Sequence, residues 1–596
     1  MNRRDFLSAA AAVPLAASFS IRLAADAPSV PEVPPFDLSR VRPSDFSDAD
    51  LGLAYAVTWL PRIANAVETE GPDRGFIKLP LARGTNPHPY NARIMENILT
   101  LAWFYASPRK WNPYYLSKAV RARLELALEY WCNLQSPDGK FSETGPQQWS
   151  LAATASAAKF GAETLRLLKS GPPITPALHT RAINCCRKAI RATLFDPELI
   201  GEGKRYSSQY SGVFAGGAAF LALYPDPELA ARLAAQLAAP DLQSPCGYFY
   251  EADGPDLGSA IGTHHENLQM AYSYWHGTHL GDLVVAQEDR FGKWLSFNLL
   301  PEPGQPFWVA NRGIETLQRH SIFRAVDTSL ADKSVIMRAF ATPPARRSAD
   351  VKSAREKLAA DWPRIDSADV PSPSRFLSSA RYDFHPTDEQ IAEARKLLRP
   401  VSENSFVEQM KDTRQPFTFT YVRRPGYYAA FAAARNPLTP QQRLGLTLVW
   451  TPNNGVLMQS QTAGKDSAWG TFLGSDLPAE AAGFDSWYTE QNTMVHYPLP
   501  GGGHKIVTLA PDRITVSIER DGEILERIPV FDTAAVISSA DYATRPAPVP
   551  APSSSPTCPN PEAACADSLG PVPGKFLSIV ELKATGNLEY QIQPTA

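Results

Sequence analysis

Cysteine is scarce. Six in 596 residues are too few for a disulfide scaffold at this length. No Cys-x-x-Cys or Cys/His cluster suggests structural zinc. Cys132, Cys185, Cys186 and Cys246 lie in apolar or helical contexts and read as core thiols. Cys558 and Cys565 share a Pro/Ser/Ala-rich stretch, where an oxidising compartment would let them close a small loop. Charge of one sign is also missing. With 58 basic and 61 acidic residues the formal net charge is -3, without the basic excess of a nucleic-acid binder. No internal apolar run approaches the length of a membrane span, so the mature chain is expected to have no integral membrane segment. No self-similarity is tight enough to name a sequence repeat.

What the chain does have begins at its N-terminus. Arg3-Arg4-Asp5-Phe6-Leu7 precedes a short run of small apolar residues, the twin-arginine export pattern. Residues 1–27 therefore read as a signal peptide, 28–46 as an extended Pro-containing linker, and the mature protein as periplasmic or secreted.

The length predicts two large domains. Helical periodicity runs through 91–106, 114–134, 149–168, 175–194, 212–223, 226–239 and 280–299, with a further segment at 315–325. Thr175-Pro176 offers an N-cap and a first-turn proline. Helices of this length joined by loops predict paired helices stacked in a ring. After a Ser/Pro-rich transition, with short helices at 353–360 and 388–398, the period becomes two. Strands are expected at 417–422, 444–450, 505–509, 513–519, 523–529, 576–582 and 590–593. Asp521-Gly522 reads as a hairpin turn. The expected architecture is an N-terminal (α/α) toroid over 47–375, followed by an antiparallel β-sandwich over 376–596 with a Pro/Ser/Ala-rich insertion at 544–574.

Proton-transferring side chains concentrate in 247–275, GYFYEADGPDLGSAIGTHHENLQMAYSYW. Asp253-Gly254 and Gly258 read as loop. ENLQMAYSYW winds into a helix with His265 at its mouth and Tyr272 and Tyr274 two turns on. A histidine and a tyrosine in one groove can move a proton in either direction. Tyr272 and Tyr274 cannot both face one side, so one belongs to the core. Trp103, Trp131, Trp149 and Trp275 could line a sugar-stacking groove. His276 and His279 lack a carboxylate at metal-binding spacing. His496 and His504, around Gly501-Gly502-Gly503, could line an interdomain cleft.

A helical ring followed by a β-sandwich resembles a polysaccharide lyase superfamily. Asp253-Gly254, His265 and Tyr274 resemble the Asp-Gly turn, histidine and later tyrosine of hyaluronate, chondroitin AC and xanthan lyases. Heparinase-like and alginate-lyase-like branches share the architecture. Arg312 to Arg319, RGIETLQR, resembles the arginine-pair motif. Where those enzymes have an asparagine, this chain has Tyr206-Ser207-Ser208-Gln209-Tyr210, and Gln209 is the available amide. The resemblance implies β-elimination on an anionic, uronic-acid-containing polysaccharide, with no metal or organic cofactor. Donors from Gln209, Arg312 or Arg319 would stabilise the enolate-like transition state. His265 or Tyr274 would take the C5 proton, and a tyrosine would protonate the leaving oxygen. Tyr210, His264, Asn267 and Trp149 complete the expected substrate-binding set.

Two other readings stand beside it. A glycoside hydrolase on an α/α ring needs two carboxylates flanking the bond, and Asp138, Asp253, Asp256 and Glu266 are candidates. A non-catalytic carbohydrate-binding protein on the same fold would account for the missing asparagine.

Overall fold

A computed structural model describes residues 30–79, 88–317, 322–324, 329–367, 384–434, 438–439, 442–460, 467–474, 478–482, 485–488, 493–547 and 572–593. The export motif, Arg319, Cys558 and Cys565 lie outside these residues.

Helices dominate the first part: α1 Leu51–Asn65, α2 Ile98–Ala106, α3 Lys118–Leu134, α4 Leu151–Ser170, α5 Pro176–Phe195, α6 Pro197–Gly203, α7 Ser207–Tyr210, α8 Gly212–Leu221, α9 Pro227–Ala238, α10 Leu257–Ser259, α11 Glu266–Trp275 and α12 His279–Asn298. They pack as hairpins, α2 on α3, α4 on α5, α8 on α9 and α11 on α12. The first members touch one another in succession, as do the second members. This makes an inner and an outer series of helices, as the sequence predicts. Inner helix α8, GVFAGGAAFL, is small and almost wholly buried. A Cβ on Gly216 would lie 2.6 Å from the Ala158 carbonyl carbon, so glycine lets α8 press against α4. Ser117, Ser150, Asp226 and Thr278 cap α3, α4, α9 and α12 through backbone amides. Thr175 precedes α5 but makes no cap bond; its hydroxyl goes to Glu125. The expected linker is extended yet docked: Val33 is buried and exchanges two hydrogen bonds with Asn65.

Strands enter as two small sheets within the helical part. β1 Tyr250–Glu251 and β2 Gly254–Pro255 form a hairpin, and β3 Leu299–Pro301, β4 Trp308–Ala310 and β5 Ile322–Phe323 form a sheet. Of the helix expected at 315–325, the described residues 315–317 are not helical and Ile322–Phe323 form β5. Helices Val335–Arg338, Pro344–Asp361, Asp388–Arg395 and Arg399–Ser402 (α13 to α16) lead to the C-terminal strands.

There, β6 Phe406–Asp412, β7 Phe417–Arg424, β8 Tyr427–Ala434, β9 Gly445–Thr451 and β10 Gly455–Gln459 form an antiparallel meander. The rest comprises β11 Gly470–Phe472, β12 Asp485–Tyr488, β13 Thr493–Pro498, β14 His504–Leu509, β15 Ile514–Val530, β16 Val536–Ser538, β17 Asp541–Pro546 and β18 Ser578–Ile592. All its pairings are antiparallel.

The meander is an inner layer. Phe419, Tyr421, Tyr428, Ala430 and Trp450 join the core of the helical part. Val422, Ala429, Phe431 and Leu446 on its other face pack against Val507, Ile514, Val516, Ile528 and Val580 of the outer layer. Two tyrosines, Tyr248 and Tyr250, donate to the same Asp412 oxygen across the domain contact, at 2.6 and 2.7 Å. Trp450 and Gln459 donate to the Pro301 and Ala310 carbonyls.

Three strand expectations are corrected. Asp521-Gly522 makes no hairpin. β15 runs straight through it, and pairing with β18 resumes beyond a bulge between Glu519 and Glu523. Gly522 and Gly586 take φ of +96° and +83° there; a left-handed glycine serves a bulge as well as a turn. The two strands expected at 576–582 and 590–593 are one strand, β18. The 544–574 insertion begins later, because β17 continues to Pro546.

No described helix is long and apolar enough to cross a membrane.

Candidate functional site

The segments leading into the inner helices gather at one end of the helical domain. Ser142 bridges Trp149 before α4, and its hydroxyl donates to the Tyr90 carbonyl. Glu202 in α6 accepts from the Leu151 amide at the start of α4. Tyr206, just before α7, bridges Glu251 in β1, and the Ser208 amide donates to the Glu251 carboxylate at 2.6 Å. Thr316, beyond β4, binds the Glu251 and Pro255 carbonyls. The result is a wall built from the start of α4, the 206–209 segment and the β1–β2 hairpin. The hairpin tip, Ala252-Asp253, takes φ of 51° and 68°, the left-handed pair a two-residue turn requires. Asp253 is held by Arg205.

Behind this wall lies the His-His segment. The chain makes a π-helical turn, Ala260–His265, before α11 begins at Glu266. Such turns insert an extra residue and recur at functional sites. His265 is therefore at the helix mouth, as expected, but only 1 % exposed. Its Nδ1 lies 2.7 Å from the Glu288 carboxylate on α12, while Nε2 has no partner. His264 is fully buried and stacks on Phe249 at 3.6 Å. Burial drives its pKa down to about 3, with the nearby Ser207 backbone opposing and His265 reinforcing the shift. Asn267 donates to the Ser211 hydroxyl at 2.8 Å, and its amide oxygen has no partner.

The structure thus brings His264, His265, Asn267 and the Ser207–Tyr210 helix together, as the sequence suggests. Gln209 is half-buried on that helix; Tyr210 is fully buried. Trp149 is 37 % exposed, whereas Trp131 and Trp275 are core.

Other expected members fall elsewhere. Tyr274 is not beside His265. Nine residues at about 100° each place the two on opposite faces of a helix. The Tyr274 hydroxyl donates instead to Glu163 on α4, which also binds Arg166. Tyr272 donates to Asp332, which also holds His276. Arg312 is 2 % exposed at the domain contact. Burial pulls its pKa down to about 10 although Glu315 favours the charge. His496 and His504 neighbour one another on β13 and β14. Lys505, Val507 and Leu509 alternate inward along β14, so His504 faces away from the helical domain.

Sequence reasoning passed over two residues of this cluster. Glu251 is a buried acid whose pKa is raised to about 8, chiefly by burial. Glu288 orients His265. A lone Glu after Tyr-Phe-Tyr gives no periodic signal. Glu288 is a charge at a buried position of α12, which the periodicity could have flagged.

No family model matches the chain, and no curated protein does. Solved structures do. A heparan sulfate lyase, HepC from Pedobacter heparinus, aligns over 96 % of this chain and 85 % of its own, at 10 % identity and TM-score 0.45. Streptomyces coelicolor A3 chondroitin AC lyase aligns over 93 % and 79 %, at 10 % identity and TM-score 0.44. A Paenibacillus xanthan lyase aligns over 92 % and 58 %, at 12 % identity and TM-score 0.42. These neighbours are polysaccharide lyases. The likeness is one of chain layout and assigns no role to any residue here.

Proposed function

We propose that the protein is an exported polysaccharide lyase that cleaves a uronic-acid-containing polymer by β-elimination. The observation that carries this reading is His265: its Nδ1 is pinned by Glu288 and its Nε2 is left open. A base oriented by a carboxylate is the arrangement proton abstraction needs. The carboxylates of the groove wall are committed otherwise. Asp256 accepts from the Ser259 and Leu317 amides, Glu251 from Ser208, Glu315 from Leu257, and Asp253 from Arg205. A hydrolase would need two of them beside the scissile bond.

In this scheme neutral His265 takes the C5 proton through Nε2. Gln209 donates to the substrate carboxylate, and the electron pair released at C5 expels the glycosidic oxygen. The half-buried Tyr206 phenol, on the same wall, returns a proton to that oxygen. His265 is 1 % exposed, so this scheme requires the π-helical turn to open.

One observation favours a second reading. The near-complete burial of both histidines suits a carbohydrate-binding protein that has lost its chemistry.

The test is a screen of the mature protein on hyaluronan, chondroitin, alginate, xanthan, pectate and heparin. It follows the ultraviolet absorbance of the conjugated double bond that elimination creates. His265→Ala is expected to lower that rate about 10²–10⁴-fold. Reducing ends without the absorbance would indicate hydrolysis, and binding without either would establish the silent reading.

A further inference from the structure

Lys505 points inward from β14 to meet Glu480, on the turn after β11, and Glu526 of β15. All three side chains are fully buried. The Lys505 nitrogen lies 2.6 Å from Glu480 Oε1 and 2.5 Å from Glu526 Oε1, above the Trp469 ring. A carbon–oxygen bond adds about 1.2 Å, so the Glu480 carboxyl carbon is at most about 3.8 Å from that nitrogen. This is close to the separation from which a bond forms. A Cβ on Gly470 would collide with Glu480 Oε2, so glycine there admits the carboxyl.

The cluster sets one cation against two acids. Burial raises the pKa of Glu526, with Lys505 opposing and Glu480 adding to the shift. Glu526 is then a protonated acid beside a Lys505–Glu480 ion pair. Thr471 closes a ring around them. Its hydroxyl lies 2.7 Å from Glu526 Oε2 and 3.1 Å from Glu480 Oε1, and its amide donates to Glu480 Oε2 at 3.0 Å. Taking an ion pair out of water carries a desolvation cost, and loss of water between its partners removes both charges.

We propose that Lys505 and Glu480 condense to an isopeptide bond that ties β14 to the turn after β11, with Glu526 and Thr471 carrying the protons. The step balances without a co-reactant. Lys505 first gives a proton to Glu480 Oε1, leaving a neutral amine and a neutral acid. The amine attacks the Glu480 carboxyl carbon, and Oε2 takes the negative charge against the Thr471 amide. One N–H proton passes to Glu526 Oε1, the Glu526 Oε2 proton to Thr471, and the Thr471 hydroxyl proton to Glu480 Oε1. Oε1 departs as water while Oε2 re-forms the carbonyl. Glu526 ends as an acid again, and the bond closes a loop across 25 residues that holds β12 and β13. This cross-link is independent of the groove and of any action on sugars.

Mass spectrometry of the full-length mature protein, reduced and denatured, tests it. The chain should be one water lighter than its sequence, and a proteolytic digest should contain one branched peptide joining Lys505 to Glu480. Lys505→Met should have the full mass whether or not it folds, since the measurement is made on the unfolded chain. Glu526→Gln keeps both reacting groups and removes the proton carrier. In its folded fraction, recovered by gel filtration, linkage should form at least tenfold more slowly.

A wild type of full mass, both fresh and after prolonged incubation, overturns the proposal. So does a one-water deficit that persists in Lys505→Met, or a branch point at any other acid. Folded Glu526→Gln that links as fast as wild type overturns the proton relay.

Discussion

Lys505, Glu480 and Glu526 between the sheets, and His264, His265 and Glu288 behind the groove, are equally shut away from water. Their polar atoms are treated differently. The Lys505 ammonium lies 2.6 and 2.5 Å from the two carboxylates and 3.6 Å above the Trp469 ring centroid. Thr471 donates to both glutamates, and Tyr590 donates to Glu526 while accepting from Trp469. Around the histidines, by contrast, His265 Nε2, Glu288 Oε1 and Asn267 Oδ1 lack partners. An unsatisfied buried polar atom costs about 1–3 kcal/mol, and buried groups left incomplete call for an explanation other than stability. A finished network is accounted for by structure alone, and under the proposed function a ligand's atoms would complete the unfinished one.

The sharpest break of that contrast is at Lys505. Lys505→Met leaves two carboxylates facing each other in a dry core. Loss of one partner from a buried ionic group costs about 3–5 kcal/mol, so the sheet domain should unfold at markedly lower urea. Lys505→Met with Glu480→Gln and Glu526→Gln should recover much of the loss. A single variant as stable as wild type would show that the cluster is not the structural member of the pair.

Next in size is the dependence on pH, where two groups act with opposite sign. His264 has its pKa lowered from 6.5 to about 3, mainly by burial. Its contribution is complete above pH 6.5 and is lost as pH falls toward 3. Glu251 has its pKa raised from 4.5 to about 8, again mainly by burial. Its contribution is complete below pH 4.5 and is lost as pH rises through 8. Each unit within a window is worth about 1.4 kcal/mol. His264→Phe, which keeps the stack on Phe249, should flatten the acid limb of a Tm–pH profile. Glu251→Gln should flatten the alkaline limb. Limbs unchanged in these variants would place the titrating groups elsewhere.

The same contrast explains what the sequence discloses. Helices were readable because one face is buried and the caps are local. Outer strands such as β14 were readable because they alternate, with burial changing at every residue. The inner layer was not: β8, YYAAFAAA, is buried on both faces and carries no period of two. Lys505 did leave a trace, as a charge in the inward register of an alternating strand. Its partners come from β15 and from a turn 25 residues away, a distance no local pattern spans. In the groove, the residue types at 206–210 and 264–267 were legible as a set. Their orientation was not, because a π-helical turn re-aims the side chains just before α11.

The smallest effect separates the two faces of α11. Tyr274 donates one hydrogen bond to Glu163, which keeps Arg166 as a partner when the phenol is removed. Tyr274→Phe should therefore cost about 1–2 kcal/mol and leave elimination unchanged, while His265→Ala lowers elimination about 10²–10⁴-fold and, by stranding the buried Glu288 carboxylate, costs more in stability. The sequence expectation that Tyr274 acts beside His265 predicts the other outcome. If Tyr274→Phe folds normally yet loses turnover, the reacting sugar lies along the inner face of α11 beside Glu163 and Arg166. The π-helical turn would then present the other side of the helix to the substrate. A stability loss with intact turnover keeps the chemistry at His265, where the unpartnered atoms are.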